Sequence, residues 1–567
     1  MAHMSTADLC LADVNALRSL ARRFDAAAAT EKAALLDLCA ARQCCDPEAL
    51  VAYHDTLLFM LAYPQNPALR QRCAGELARC ADLARSLTGA GETVPDALHG
   101  SGLPFTRIAV SFNLKVARWL ADRFAGAVRL HSARGSVTTL RRLLTEALPA
   151  AEFETLAADA EEAGDLLAAL GIERTGAGLR WLLDAIASVE MPERLRVALY
   201  DDLDVFVALH SADSTLARQY LTGLERPIHY QDEPLSRSED AARLLDMPLD
   251  PPLPLTAEDR HRLITTARGL LALLGRQTEP ISSCIASGVM AYDLGRGVVI
   301  ALFSTAPEDR TPFDSHIGMM LFKNGLPVAY GGGWPFLGTC KIGINIFEPY
   351  RGGESHFLFL SVLRAYRHLF GVNRFIVERY QFGRNNPEGI ASAAYWFYYR
   401  LGFRSMRADL ARLAEREWKK LRDGMRTATS RRTLLRFTEA HMDLRLPGCP
   451  DSYDYCDPAD LSRAVTAAVI DRFAGDRRTF LAWAEDRVRR LIGWQERLPA
   501  RGAAALALLA PAVALVPDLE SWPEADLQSL QAWLLARVAD DEQPYFALLA
   551  QCPRLQRALE SVAGVTV

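Results

Sequence analysis

An apolar run, Lys341 to Phe347, leads into Arg351-Gly352-Gly353-Glu354-Ser355-His356, and a helical pattern follows as far as Gly371. A strand that stops at paired glycines on a helix start leaves backbone N–H groups unpaired and turns the positive end of the helix dipole toward the gap. Such a place is an anion cradle. Glu354 and Ser355 also suit the first turn of a helix simply as capping residues. Glu348, at the end of this strand, and Glu378, on the strand expected over Arg374 to Tyr380, are by position the carboxylates that could serve as general bases. His316, at the start of another strand, is an outlying third. Tyr330-Gly331-Gly332-Gly333-Trp334 ends an expected strand in bare backbone, which makes either a tight corner or a place where a substrate can approach closely.

A second group lies in Tyr395-Trp396-Phe397-Tyr398-Tyr399. Consecutive aromatic residues point all round a helix, so most must pack in a core and at most one or two can face a pocket. Beyond them, Arg412 to Arg436 carries nine basic residues against three acidic ones, a face that could hold phosphate groups. Other signals fail. His99-Gly100-Ser101-Gly102 lacks the glycine that a nucleophile elbow needs two residues before its serine. Asp201, Asp202 and Asp204 read as a solvated turn. The eleven cysteines are scattered, with no Cys-x-x-Cys pairs matched to histidines, so no metal site is expected.

The elements that must position these residues belong to an α+β chain. Residues 5–246 are dominated by helical patterns rich in Ala, Leu and Arg, among them Ala7 to Arg23, Ala49 to Ala62, Pro67 to Leu87 and Leu216 to Leu224. Met247 to Leu255 contains four prolines and reads as a linker. Thr256 with Asp259 then caps a helix running through Leu274. From about Gly288 the pattern turns to strands: Gly297 to Phe303, His316 to Lys323, and Leu326 to Tyr330 across the hairpin signal Asn324-Gly325. The expected organisation is a mixed sheet with helices over 257–406, flanked by an all-helical N-terminal region and an all-helical C-terminal region over 407–567. The net charge of −5 gives no global attraction to nucleic acid or to an anionic membrane. The longest apolar run, Ala503 to Val516, is too short to span a bilayer and carries Pro511. Met1-Ala2-His3-Met4 reads as a cloning remnant with no secretory signal after it, so cytoplasm is the expected compartment.

In order and content, the central region resembles the acyl-CoA-dependent N-acyltransferases of the GNAT superfamily. Arg351, Gly352, Gly353 and Ser355 fall in that family's Arg-x-x-Gly-x-Gly/Ala loop, whose amides hold the CoA pyrophosphate; Glu354 and His356 stand where it has small residues. Ala394, Tyr398, Gly402 and Phe403 match its closing signature without a gap. The resemblance implies that Tyr398 protonates the departing thiolate. A phenol with an ordinary pKa of about 10 is suited to that task. It further implies an acyl thioester donor, either acyl-CoA or a carrier-protein thioester, and direct attack by an amine acceptor beside the Gly331–Trp334 backbone. An aminoacyl-tRNA donor is a variant of this reading. Where the family places two acceptor-site helices, this chain has only Ser304 to Ser315, so the flanking helices are expected to complete the acceptor site. Over its whole length the chain also resembles a bacterial GNAT-like family sharing YGGGW, RGGES and WFYYRLGF, a likeness that implies no particular activity. The alternative is a binding scaffold built on a decayed acyltransferase core.

Overall fold

The computed structural model describes residues 8–88, 95–157, 160–210, 216–235, 239–449, 455–494 and 500–565. Its centre is a mixed eight-stranded sheet in the order β10-β11-β9-β8-β7-β6-β5-β4. Strands β4 (Cys284–Gly295), β5 (Val298–Thr305), β6 (Ile317–Lys323), β7 (Leu326–Phe336) and β8 (Thr339–Ile346) form an antiparallel meander. Every residue of β5 and β6 is buried, as expected for β-branched and apolar runs covered on both faces. Asn324 and Gly325 both have positive φ, 50° and 83°, the conformation of a two-residue type I′ hairpin.

The glycines of β7 neither end the strand nor bulge. They pair in register with β6 and β8, and the strand continues to Phe336. They are bare because of what packs on them. A Cβ on Gly331 would stand 2.1 Å from the Gly343 carbonyl oxygen, and one on Gly333 would stand 2.7 Å from the Tyr366 ring.

From β8 the chain crosses over through the helix Ser355–Phe370, closed by Gly371 at φ 66°, to β9 (Arg374–Val377), which lies parallel to β8. Phe357 to Tyr366 are all buried, because this helix is covered on one side by the sheet and on the other by the helices Ala241–Asp246 and Gln543–Gln551. After the edge strand β10 (Arg404–Ser405) the chain makes the helices Ala408–Arg422 and Arg431–Phe437, then returns as β11 (Met442–Arg445) between β9 and β10. The sheet therefore extends past residue 406, into the stretch expected to be purely helical.

The N-terminal region is helical apart from a small antiparallel sheet in the order β1-β3-β2, formed by β1 (Arg107–Ser111), β2 (Val128–Ala133) and β3 (Val205–His210). Each strand has at most six residues, and the alternation that marks β3 is lost among long Ala/Leu-rich stretches. Residues 216–224, expected to be helical, run instead as turns and irregular chain along the central hairpin, with Gly223 N–H donating to the Gly325 carbonyl at 2.8 Å. Thr256 and Asp259 make the expected capping box on the helix Ala257–Leu273. No helix among the described residues is long and apolar enough to cross a membrane.

The C-terminal helices dock on the loop before β6 through a buried ionic cluster. Arg537 reaches Glu542 at 2.9 Å and the Ser315 hydroxyl at 2.6 Å, while Arg310 lies 3.3 Å from the same carboxylate. Arg310 also donates to the Arg537 carbonyl at 2.9 Å, and the Tyr545 hydroxyl donates to the Phe313 carbonyl at 2.7 Å. Removing one partner of a buried pair strands the other charge. Glu542→Ala is accordingly expected to destabilise by about 3–5 kcal/mol, read as a lower melting temperature, with Arg537 and Arg310 both left unpaired.

Candidate functional site

The sheet opens between β8 and β9. Thr339, Cys340 and Lys341 pair with Arg374, Phe375 and Ile376, and there the pairing stops. β8 continues to Ile346, whereas β9 ends at Val377 and the chain turns into the short 3-10 helix Arg379–Phe382. At the open end β8 leads through the turn Glu348–Tyr350 to Gly352, at φ 72°, and so to the Ser355–Phe370 helix with its orphan first-turn N–H groups. Gly353 is buried; a Cβ there would lie 3.6 Å from the Tyr63 hydroxyl. Gly352 is exposed, and its own Cβ position lies 3.3 Å from Arg22 Nη1, so the N-terminal region brings a cation to the cradle. Arg351 is exposed and donates to the Ile346 carbonyl at 3.0 Å and to Glu388 at 2.5 Å.

Glu354 does not meet an anion in this cradle. Its carboxylate is 2% exposed and accepts from Lys323 Nζ at 2.9 Å and Arg296 Nη1 at 3.3 Å. Lys323 also donates to the Arg296 carbonyl at 2.7 Å, and Arg296 is held by Glu239 at 2.8 Å. Burial pushes the Lys323 ammonium below its ordinary range, and Glu354 pulls it back up. The carboxylate is thus neutralised inside the protein. Nothing in the sequence pairs Glu354 with Lys323, which sits on a hairpin 31 residues earlier.

Tyr398, in the helix Tyr395–Arg400, is 3% exposed. Its ring sits among Phe397, Phe359, Phe403 and Phe382 at centroid distances of 5.2, 5.7, 5.9 and 6.4 Å. Desolvation pushes its phenol well above the usual range, and its hydroxyl has no hydrogen bond among the described residues. Tyr395 stacks on Phe437 and Trp396 packs on Trp418, so most of the aromatic run is core, as its spacing requires. Glu348 and Glu378 are both exposed, the first after β8 and the second just past β9.

A cavity of about 1070 Å³ lies against the outer side of this aromatic helix. Trp396 and Trp418 give it an aromatic wall, and Arg400, Arg422, Arg426 and Arg431 give it positive charge. Arg422 and Arg426 are partly engaged by Asp423 and Glu417, whereas Arg400 and Arg431 have no carboxylate partner among the described residues. The cavity and the cradle adjoin. Phe397 lines the cavity and also packs on His356 in the first turn of the cradle helix at 5.4 Å. The basic excess over Arg412 to Arg436 was its only trace in the sequence, because its walls come from four separate helices and the segments between them.

The glycine stretch lies on β7, one strand away from the opening. Gly333 faces the Ser355–Phe370 helix, while Gly332 and Trp334 point to the opposite face of the sheet. Gly332 pairs with Gly343 of β8, two residues past the last residue paired with β9. Gly352, Gly353 and Ser355 follow the end of β8, and Tyr398 packs on Phe359 of the helix that they open. The cradle residues and Tyr398 are on the helix side, and Gly332 and Trp334 are on the other. No protein-family model, no curated protein and no solved structure matches this chain. Among the described residues no cluster of ligating side chains could hold a metal ion.

Proposed function

We propose that the central domain is a GNAT-like acyltransferase that moves an acyl group from a thioester to an amine by direct attack in a ternary complex. The observation that carries this reading is the opening of a parallel strand pair directly beside a glycine-opened helix N-terminus. A thioester lying in the opening can pair its carbonyl with the unpaired edge of β8, while its phosphates meet the first-turn amides near Gly352, Gly353 and Ser355. Tyr398 then supplies the proton to sulfur, and positioning supplies much of the rate. Among donors, acyl-CoA makes the fullest use of the site: its nucleotide phosphates and purine match the arginines and tryptophans of the adjoining cavity. A carrier-protein thioester or an aminoacyl-tRNA ester would engage that cavity differently.

The burial of Tyr398 favours a second reading, a binding protein in which the acid no longer reaches a substrate. Donor binding and turnover separate the two. The double variant Arg400→Ala, Arg431→Ala is expected to weaken CoA binding about 10- to 100-fold, as the loss of two phosphate-directed cations implies. Dephospho-CoA, lacking one phosphate, should lose less when the same two arginines are removed. Equal losses for both ligands in calorimetric titrations would take the nucleotide out of the cavity.

A further inference from the structure

On the face of the sheet away from the Ser355–Phe370 helix, His316 precedes β6 with its Nδ1 3.3 Å from a Glu279 carboxylate oxygen. Its ring stacks on Trp334 with centroids 3.7 Å apart and planes 20° apart. Its Nε2 lies 2.7 Å from where a Cβ on Gly332 would stand. A side chain at 332 would therefore displace the imidazole, and the absence of one lets Nε2 hang over bare strand. A carboxylate accepting from Nδ1–H fixes the tautomer that leaves a lone pair on Nε2.

What lies under that lone pair makes the arrangement more than a surface stack. Residues directly opposite in an antiparallel pair point to the same face, so Gly332 and Gly343 together clear one patch of it. The Gln381 carboxamide reaches this patch from the β9 side, with Nε2 2.7 Å from the Cβ position of Gly343. Asn345, two residues further along β8 on the same face, has its Oδ1 buried with no hydrogen-bond partner. The patch lies where β8 leaves β9. The His316 imidazole and the Gln381 carboxamide thus cover the two glycines where the β8–β9 pairing ends, with the unpartnered Asn345 oxygen on the same face. Trp334, 36% exposed, stands at its outer edge.

We propose that His316, oriented by Glu279, is the catalytic base that takes the proton from the acceptor ammonium, and that the acceptor enters over the Gly332–Gly343 pair from the Trp334 side. This rests on the acyl-transfer reading above. The ammonium gives one proton to Nε2, and the amine lone pair forms the C–N bond to the thioester carbonyl. The C–S bond breaks with its pair on sulfur, a second proton from nitrogen is lost as the amide forms, and sulfur gains one proton from Tyr398 or solvent. His316 then releases its own proton to water. Acid and base would stand on opposite faces of the sheet, joined only through the opening, and Glu279 would be a positioning residue. Glu348 and Glu378 are solvent-exposed and need not serve as the base.

Bromoacetyl-CoA tests this, because its reactive methylene lies next to the acyl carbon. If the acyl group sits over the glycine pair, Nε2 displaces bromide and the enzyme keeps a His–CH2–CO–S–CoA adduct. Peptide mapping by mass spectrometry of the wild-type protein is expected to find that adduct at His316, suppressed by excess CoA and absent from His316→Gln. Glu279→Gln should slow its formation roughly 10-fold by freeing the tautomer. Bromoacetyl-CoA that raises the melting temperature yet labels another residue, or none, would overturn this assignment and leave the donor reading standing. A reagent that does not bind at all would overturn both.

Discussion

Tyr398→Phe is expected to lower turnover by roughly 10- to 1000-fold, the range for loss of a general acid, while leaving the melting temperature nearly unchanged. The two halves of this result have separate causes. The ring makes aromatic contacts with Phe359, Phe382, Phe397 and Phe403 that phenylalanine keeps. The hydroxyl has no hydrogen bond among the described residues, so its removal breaks none of the bonds described for the fold. A hydroxyl in so dry a place is a weak acid in the free protein, and its task is defined only when a thiolate is formed beside it. Steady-state rates with acetyl-CoA, together with the melting curve, check both halves. Full activity in the phenylalanine variant would assign the proton to water.

Glu354→Gln is expected to be among the most destabilising single changes, about 3–5 kcal/mol, because it leaves the Lys323 ammonium buried without an anion. Its pH dependence separates this cause from a simple loss of packing. The folded-state pKa of Lys323 already lies below the ordinary value of 10.5, so the unfolded chain holds this proton more tightly than the folded one. Stability therefore rises with pH from the folded pKa up to the unfolded one. Because Glu354 raises the folded value, its removal lowers it further, and the recovery should begin at a lower pH. Melting temperatures of variant and wild type measured from pH 7 to the alkaline side should converge; a constant gap would mean that the lysine is not the cause. Gln at 354 also keeps the backbone of the cradle, so any residual binding of CoA reports on the amides alone.

Local signals were legible wherever a few neighbouring residues decide the backbone. Asn324-Gly325 specified its hairpin, Thr256 with Asp259 its helix start, and Gly352-Gly353 the turn from β8 into the Ser355–Phe370 helix. Signals failed where the cause lies far along the chain. Gly331 to Gly333 read as a strand end, yet they are bare because Gly343, His316 and Tyr366 press on them from other elements. β11 went unrecognised because a four-residue strand gives little periodicity, and its partner β9 lies 71 residues earlier by the Arg445–Arg374 pairing (445 − 374). The same holds at the site. Glu354 read as an intruder in an anion cradle until Lys323 and Arg296 supplied its partners, and His316 read as an outlier until Glu279 and Trp334 were brought to it.

The opening and its cradle are proposed to bind an acyl-CoA. The most direct test is the melting temperature of the intact chain titrated with CoA, acetyl-CoA and a long-chain acyl-CoA. A ligand held only by the native state at about 100 times its dissociation constant stabilises by about 2.7 kcal/mol. A saturable rise is expected, and it should be abolished in Gly353→Glu, which puts a negative charge just before the Ser355–Phe370 helix. An unchanged melting temperature with all three ligands would contradict it.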